Sequence, residues 1–424
     1  MNILAIETSC DETAAAIITG NPESRLEVPK LLSNVVVSQI DIFKSYGGVI
    51  PEVAARSHLE AILPVIHRAF QDAGFTKPSP KNHLSSHPKS KNTPPSSTDL
   101  DDWDKIDAIA VTHTPGLLGS LLIGTLTARV LAILHHKPLY AVHHLKSHIY
   151  ANWLGKDGKG ALPPKRSFEP VVTGLSRRVL AVAADVGGNA PLPSFPLLAL
   201  VISGGHTQII YMKAHNDFKI IGTTLDDAIG ECFDKVAKIL GLPYPGGPSI
   251  SKAASGEIIT FDPETNTEKT IKVRPGNPEA YPLPHPKIKD LNFSFSGLKT
   301  AVLRSVQKAV NVPISYPSYQ LAALLTPEQK ADFAASFEET ACDILLEKLQ
   351  KAHQNYPNIK SVVIAGGVSA NQRLRKKASA FFPAPKFSGD NAAMVGAAAF
   401  FEISSGKKPI DPYSLNISPR SKIV

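Results

Sequence analysis

Short apolar runs followed by amphipathic stretches recur along this chain of 424 residues and predict strands and helices in a fixed order. In the first half three apolar runs come first. Pro51 then begins a helix, because proline is tolerated in a first helical turn. The predicted elements of this half are strands at 2–6, 14–18, 32–38 and 106–111 and helices at 51–74 and 118–134.

The second half repeats this order without repeating the sequence. Its predicted elements are strands at 197–202, 207–212, 218–223 and 361–365 and helices at 227–240, 328–353 and 371–381. The repetition predicts two related α/β domains packed about a cleft. We expect the first polar turn of each half, Thr8–Thr13 and Ser203–His206, to point into that cleft and to suit phosphates.

Two proline-rich segments carry most of the formal net charge of +8. Residues 77–98 contain five prolines, six serines and four lysines but no acid, which predicts a low-complexity, disordered surface insertion. Residues 155–196 carry six basic and three acidic residues, and we interpret them as a second irregular insertion. Because the rest of the chain is nearly neutral, the charge is weak evidence for nucleic-acid binding. The lysines could steer a polyanion or simply keep the insertion soluble.

Cysteine usage and hydropathy indicate the compartment. The three cysteines, Cys10, Cys232 and Cys342, have no spacing typical of metal or redox sites. No run approaches the ~18 apolar residues of a membrane span, and the N-terminus lacks the pattern of a signal or transit peptide. These observations predict a cytoplasmic protein that does not enter a membrane.

A His-x-x-x-His pair is the sharpest chemical signal in the sequence. His144 and His148 follow a strand predicted at 139–142 and lie at the start of a predicted helix. Side chains at i and i+4 share one helical face, so the two rings can ligate one metal. Position 145 is leucine, so the general base of the HExxH zinc proteases is absent. On spacing alone a structural or solvated pair is the commoner interpretation of such a motif.

Asp390 is the natural candidate for a third, carboxylate ligand. It precedes a helix of small residues predicted at 392–400. An aspartate in that position is also typical of an ordinary helix N-cap, and both interpretations stay open from the sequence.

Glycine-rich turns provide candidate nucleotide contacts. Ser203–Thr207 joins two apolar strands, so its bare backbone could approach an anion closely. Ala365–Asn371 runs from a strand into a helix and offers helix N-terminal N–H groups to a phosphate or nucleoside. Pro245–Pro248 follows the helix that holds Asp234. Gly-Gly pairs also serve plain turns, and neither the P-loop nor the G-x-G-x-x-G fingerprint is present.

Together these motifs closely resemble the tRNA threonylcarbamoyladenosine transferases, the TsaD family of bacteria with its archaeal and mitochondrial relatives. The resemblance covers nearly the whole chain outside the two insertions. The matching segments, in order, are Ile6–Thr13, Tyr46–Glu52, His143–His148, Ser203–Gln208, Asp234 with Lys235, Tyr244–Pro248, Phe293–Thr300 and Ala365–Asn371.

The resemblance implies an α/β fold of the actin-like ATPase and sugar-kinase-like class, with two duplicated domains about a central cleft and two low-complexity insertions. Residues 1–136, completed by a helical segment at about 391–424, would form the first domain, and residues 137–390 the second. Family members are acyltransferases. They move a threonylcarbamoyl group from threonylcarbamoyl-AMP to the N6 amine of adenosine 37 in tRNAs reading codons that begin with A, forming N6-threonylcarbamoyladenosine.

The resemblance also implies site residues and partners. The implied metal ligands are His144, His148 and Asp390, and the implied substrate-binding residues are Val201, Ile202, Ser203, Gly204, Gly205, Asp234, Gly247 and Asn371. One divalent metal is expected, with Fe(II) favoured over Zn(II). The expected partners are tRNA, threonylcarbamoyl-AMP and the other subunits of the machinery, which in bacteria are an inactive paralogue and a small ATPase.

Asp11 and Glu12 lie on the first cleft turn and are candidate catalytic residues for proton transfer or amine orientation. A solvated acidic turn or a contact with a partner explains them equally well.

Two other classes of function compete with the transferase. A metalloendopeptidase would need a general base beside the metal, where position 145 offers leucine. A non-catalytic nucleotide-binding scaffold of a tRNA-modifying complex is compatible with the same motifs.

Overall fold

The structure of the protein is a computed structural model that describes residues 1–24, 28–77, 100–154, 192–262, 267–421 and 423. The insertions predicted at 77–98 and 155–196 therefore lie outside the described residues, except for Lys77 and residues 192–196. None of the helices in the described ranges is both long enough and apolar enough to cross a membrane.

The described part of the first half forms a mixed sheet with helices after its strands. Its elements are β1 (Asn2–Glu7), β2 (Glu12–Thr19), β3 (Lys30–Ser38), α1 (Ile40–Lys44), α2 (Pro51–Asp72), β4 (Thr76–Lys77), β5 (Leu100–Asp101), β6 (Ala108–Thr114), α3 (Leu118–Leu134), β7 (Leu139–His143) and α4 (His144–Tyr150). The strand order of the main sheet is β3-β2-β1-β6-β7. The β1–β2 and β2–β3 pairs are antiparallel, whereas β1, β6 and β7 run parallel.

The described part of the second half repeats this arrangement. Its elements are β8 (Leu197–Ile202), β9 (Thr207–Ala214), β10 (Asp217–Thr223), α5 (Ile229–Leu240), α6 (Gly246–Ala254), β11 (Glu257–Asp262), β12 (Thr267–Lys272), α7 (Ser296–Ala309), α8 (Pro327–Asn355), β13 (Ser361–Ala365), α9 (Gln372–Lys377) and α10 (Ala392–Ser404). The strand order of its main sheet is β10-β9-β8-β13, with β8 antiparallel to β9 and parallel to β13.

The order β10-β9-β8-β13 reproduces β3-β2-β1-β6 strand for strand and direction for direction. This duplication confirms the predicted fold class, the actin-like ATPase and sugar-kinase-like α/β fold. The structure places β7 in the first sheet, one strand beyond the domain boundary predicted at residue 136. The division of the chain into domains otherwise stays a prediction.

One shared apolar core joins both main sheets to α4 and α10. The strands β1 and β8 read as unbroken apolar runs because both of their faces are covered. The small residues of α10 are buried along most of its length, which is typical of a helix that is apolar all round. A Cβ on Gly396 would lie only 3.2 Å from Ile18, so glycine lets α10 lie close against the first sheet. Because α4 and α10 share this core, their N-terminal ends are held together.

Two of the predicted elements differ in the structure. The helix predicted at 371–381 ends at Lys377, because Phe381 turns to an extended backbone and exchanges hydrogen bonds with Val362 and Ile364 of β13. The region predicted as the second insertion ends in ordered structure, since Phe195 stacks on Trp153 with ring centroids 5.9 Å apart.

Candidate metal centre and nucleotide cleft

Two histidines at the start of α4 and one aspartate before α10 come together at the ends of the two central helices. The Nε2 atoms of His144 and His148 lie 3.2 Å apart. Oδ1 of Asp390 lies 3.5 Å from Nε2 of His144 and 3.2 Å from Nε2 of His148. One atom from each residue thus falls within 4.8 Å of the others, a group that could hold a metal ion.

The structure also decides what caps α10. Asn391, not Asp390, is the N-cap, since its side-chain oxygen accepts a hydrogen bond from the N–H of Met394 at 3.0 Å. The N-cap interpretation of Asp390 is therefore wrong, and its carboxylate is directed to the two histidines. Leu145, at the position where HExxH enzymes carry their base, is fully buried in the shared core.

The electrostatics of the cluster suit a cation. Burial alone would raise the pKa of Asp390, but the two histidines lower it to about 2. Burial lowers the pKa of His144, but Asp390 and Glu7 together raise it to about 9. Two imidazoles and one carboxylate are a donor set used by Fe(II) and Zn(II) sites in proteins. The residues present therefore fit a divalent metal.

Glu7 is a residue of the site that the sequence analysis did not single out. It ends β1, its side chain is fully buried, and its Oε2 lies 3.1 Å from Nδ1 of His144. Burial by itself raises the pKa of Glu7, but the His144 charge and hydrogen bond bring it below the ordinary value. The signal for Glu7 in the sequence is an acidic residue at the end of an apolar run, Ile3–Ile6.

The first cleft turn is held from beneath by a buried histidine. His58 of α2 lies fully buried, with Nε2 3.0 Å from the carbonyl of Cys10 and Nδ1 2.8 Å from Oγ1 of Thr13. Asp11 is only 9% exposed and Glu12 is half-buried, so the two are not a freely solvated acidic turn. Burial is the main cause that raises the pKa of both carboxyl groups, and the Asp390 charge adds to it.

The second cleft turn follows β8. Val201 and Ile202 are fully buried within that strand, and their side chains belong to the apolar cores. Ser203 closes the turn, since its Oγ accepts the N–H of His206 at 3.2 Å. Gly204 and Gly205 are exposed, and a Cβ built on either would meet no atom within 4 Å. Burial and the charges of His144 and His148 lower the pKa of His206 to about 4. The two candidate metal ligands therefore act electrostatically on this turn.

Asp234 and Gly247 lie at a tight corner between α5 and α6. Oδ1 of Asp234 accepts the N–H of Gly246 at 2.7 Å, and a Cβ on Gly246 would lie 2.5 Å from the Cα of Asp234. A Cβ on Gly247 meets nothing within 4 Å, so that side of the corner is open. Burial, with the charges of Asp11 and Glu231, raises the pKa of Asp234 to about 6. The influence of Asp11 indicates that the corner faces the first cleft turn.

Asn371 bonds a different group of residues. It caps α9 by accepting the N–H of Leu374, and its amide donates to Oγ of Ser251 and to Oε1 of Glu338. A cavity of about 670 Å³ lies beside this network. Its walls come from α6, α8 and α9, and the lining residues are Ser251, Lys252, Ala254, Ser255, Glu338, Glu339, Gln372, Arg373, Lys376 and Lys377.

The site residues expected from the sequence thus form two groups. The first group surrounds the candidate metal ligands. The charge of Asp390 acts on the acidic turn, the charges of the two histidines act on the Ser-Gly-Gly turn, and the charge of Asp11 acts on Asp234. Asn371 lies with the cavity between α6, α8 and α9.

The duplicated sheets, joined through one shared core, define an actin-like α/β protein with a candidate metal centre. The family model TsaD, described as tRNA N6-adenosine threonylcarbamoyltransferase, matches residues 30–80, 101–186 and 176–397. The tRNA N6-adenosine threonylcarbamoyltransferase of Symbiobacterium thermophilum is 39% identical, across 94% of this chain and 91% of that protein. The enzyme of the same name from Bacillus subtilis is 38% identical, across 99% of this chain and 95% of that protein. The chain therefore belongs to the TsaD family of acyltransferases, as its motifs predicted.

Among solved structures, the activator of 2-hydroxyisocaproyl-CoA dehydratase from Clostridium difficile overlaps 96% of this chain and 96% of that chain, with 12% identity and a TM-score of 0.40. The two strand orders define the fold class.

Proposed function

We propose that this protein transfers the threonylcarbamoyl group of threonylcarbamoyl-AMP to the N6 amine of adenosine 37 in tRNAs that read codons beginning with A. The observation that carries the proposal is family membership over nearly the whole chain, combined with a His-His-Asp cluster beside two cleft turns. The tRNA substrate implies action in the cytoplasm.

The reaction forms one bond at the carbamoyl carbon and breaks another. The N6 nitrogen attacks that carbon, the bond from the carbon to the phosphate oxygen breaks, AMP leaves, and N6 gives up one proton. AMP is a good leaving group, whereas the amine of adenine is a poor nucleophile. Catalysis must therefore rest on positioning the two substrates and on stabilising charge at the carbonyl oxygen.

The adenylate is proposed to bind to Val201–Gly205, Asp234, Gly247 and Asn371. The open space above Gly204 and Gly205 supports a phosphate at the Ser-Gly-Gly turn. The free side of Gly247 and the carboxyl group of Asp234 are suited to a ribose with its hydroxyl groups. The cavity of about 670 Å³ beside Asn371 is within the usual size range of a site for a small molecule.

One divalent ion is proposed to bind to His144, His148 and Asp390, with Fe(II) favoured over Zn(II). The donor set of two histidines and one carboxylate is typical of non-haem Fe(II) sites, which supports that preference. When bound, such an ion would supply a Lewis acid for substrate oxygens.

Asp11 and Glu12 are proposed to orient the N6 amine and accept its proton. Burial raises the pKa of both, so each is a stronger base than a solvated carboxylate. Their position on the first cleft turn supports this role, with the backbone carbonyl of Cys10 fixed by His58. A contact with a partner subunit is the alternative role of the two acids.

Partner subunits are proposed to be those of the bacterial machinery, an inactive paralogue and a small ATPase. An exposed apolar stripe along α3, beside two exposed leucines of α2, supports a protein partner, because a free surface rarely carries so many apolar side chains in a row. We assign this surface, called the α2–α3 face, to the paralogue. Its residues are Leu59, Leu63, Leu118, Leu122, Leu126, Val130, Ile133 and Leu134.

The deciding experiment supplies purified protein with tRNA, threonine, bicarbonate, ATP and the partner proteins, and then measures the tRNA nucleosides by mass spectrometry. We expect N6-threonylcarbamoyladenosine with the wild type. With His144→Ala we expect none, together with loss of bound metal and no change in the fold. His285→Ala is the matched control, since His285 is a surface histidine paired with Glu347.

Two results would contradict the proposal. A wild type that yields no modified adenosine under these conditions would favour the non-catalytic scaffold. Full transfer by a metal-free His144→Ala protein would show that the transfer reaction does not need the metal.

A further inference from the structure

We propose that Glu7 is a positioning residue that holds His144 in the tautomer and orientation required of a metal ligand. This role rests on the metal centre proposed above. Glu7 is fully buried at the end of β1, and its Oε2 lies 3.1 Å from Nδ1 of His144. A carboxylate taken out of water destabilises a fold unless it is paired and hydrogen-bonded, so its presence here points to that specific partner.

The carboxylate of Glu7 is itself fixed from two elements. The N–H of Ser9, in the turn after β1, donates to Oε1 at 2.5 Å. The hydroxyl of Thr112, in the neighbouring strand β6, donates to Oε2 at 2.6 Å. Each oxygen therefore accepts one hydrogen bond, and the charge and hydrogen bond of His144 keep the pKa of Glu7 below its ordinary value. The group that faces His144 is thus a carboxylate that can only accept.

This arrangement decides which ring nitrogen of His144 carries the proton. Nδ1 must carry it, because the carboxylate of Glu7 offers only lone pairs. In the neutral ring that a metal would bind, Nε2 is then left with its lone pair, on the side of Nε2 of His148 and Oδ1 of Asp390. Oγ of Ser9, also 3.1 Å from Nδ1, can accept the same proton. Histidines that ligate metals usually donate their second ring N–H to such a carboxylate, which fixes the tautomer.

The second histidine of the pair lacks this support. In the described ranges of the chain, Nδ1 of His148 is buried without a hydrogen-bond partner. The orientation of the metal site is therefore anchored on one side only, through Glu7 and His144. Loss of the Glu7 carboxylate should therefore weaken metal binding.

The test is Glu7→Gln, which keeps the size of the side chain and removes the charge. An amide has only one acceptor oxygen. In one orientation of the introduced amide, its NH2 group faces the N–H of Ser9, and two donors oppose each other. In the other orientation the NH2 group faces Nδ1 of His144, which must then accept, so the proton of the neutral ring moves to Nε2. We expect the metal-free variant, titrated with Co²⁺ and followed by visible absorption, to bind about 10- to 100-fold more weakly than the wild type.

The second readout needs no metal. Long-range ¹⁵N spectra of histidine-labelled, metal-free protein are recorded above the pKa of about 9 of His144, where its ring is neutral. They should show His144 protonated on Nδ1 in the wild type and redistributed to Nε2 in Glu7→Gln. Glu402→Gln is the matched control, because Glu402 is also a buried glutamate but pairs with Lys407. It should leave both readouts unchanged. If Glu7→Gln does not fold, Glu7→Asp, whose carboxylate is drawn back by one methylene, replaces it with the same expected loss of affinity.

The outcomes separate this role from the proposed function. Co²⁺ affinity and tautomer both unchanged in Glu7→Gln would overturn the role of Glu7 and leave the metal centre standing. A wild type that binds no Co²⁺ would instead overturn the metal centre, whatever the tautomer of His144.

Discussion

Asp234 is a carboxyl group whose burial weakens the fold at neutral pH. Its pKa is raised from 3.8 to about 6, chiefly by burial, so the folded protein binds this proton more tightly than the unfolded chain. Ionisation of Asp234 therefore destabilises the fold above about pH 6, and this penalty fades as the pH falls from about 6 to about 4. A residue kept at such a disadvantage is typical of a binding site.

Asp234→Asn should accordingly stabilise the protein without metal or nucleotide. The amide oxygen can still accept the N–H of Gly246, while the buried charge disappears. We expect a gain of about 1–3 kcal/mol at pH 8 that vanishes near pH 4, measured from urea unfolding midpoints. Asp217→Asn, at an exposed position, controls for the loss of one carboxylate. A gain of equal size at both pH values would rule out the buried charge as its cause.

At the same scale, the sequence identified the ligands but not what orients them. His144, His148 and Asp390 carried a signal because their spacing or family motif is recognisable. Glu7 and His58 carried almost none. Their roles depend on a fully buried position against a residue 137 or 48 places away, and only the fold creates that neighbourhood.

The connection from β13 to α9 depends on one glycine of an adjacent pair. Gly366 has φ +92°, and a Cβ there would lie 2.4 Å from the carbonyl oxygen of Ile202 at the end of β8. Gly367 has open space where its Cβ would be. The sequence marks both as a turn. It cannot tell which is obligatory, because only the pairing of β13 with β8 brings the carbonyl close.

Gly366→Ala should therefore destabilise the protein by about 2–4 kcal/mol, from the left-handed backbone and the clash with β8. Gly367→Ala should stay within about 0.5 kcal/mol of the wild type. Thermal and urea unfolding of the two variants side by side provide the measurement. Equal destabilisation by both substitutions would mean that the close approach to Ile202 does not govern the turn.

Two of the elements that the sequence missed have no clear hydrophobic period. Strands of the two main sheets were predicted because unbroken apolar runs of about five residues stand out between polar turns. The helices α6 and α7 and the hairpin of β11 and β12 were not predicted. The first has only nine residues with a proline inside, and β12 is exposed along its whole length, so neither shows a clear period.

At the scale of the whole molecule, duplication was visible in the sequence but the joining of the halves was not. The joint consists of α4 and α10, which start at residues 144 and 392 and meet in one core. Hydrophobic periodicity contains no information about contacts at that separation. The metal ligands lie at this joint, so the geometry of the candidate site depends on how the halves pack.

The α2–α3 face is the surface through which we propose that the molecule binds a paralogous subunit. Apolar residues at every fourth position, from Leu118 through Leu126 to Val130, form a stripe along α3 that suits a helix of another subunit. Val130→Glu should fold normally, because Val130 is 60% exposed, and should abolish the complex with the purified paralogue in analytical ultracentrifugation. Ile314→Glu, at a side chain 69% exposed in the other half, should leave assembly intact.

A Val130→Glu protein that still binds the paralogue would show that the contact with the paralogue lies on another surface. Loss of self-association alone would assign the face to a second copy of this chain.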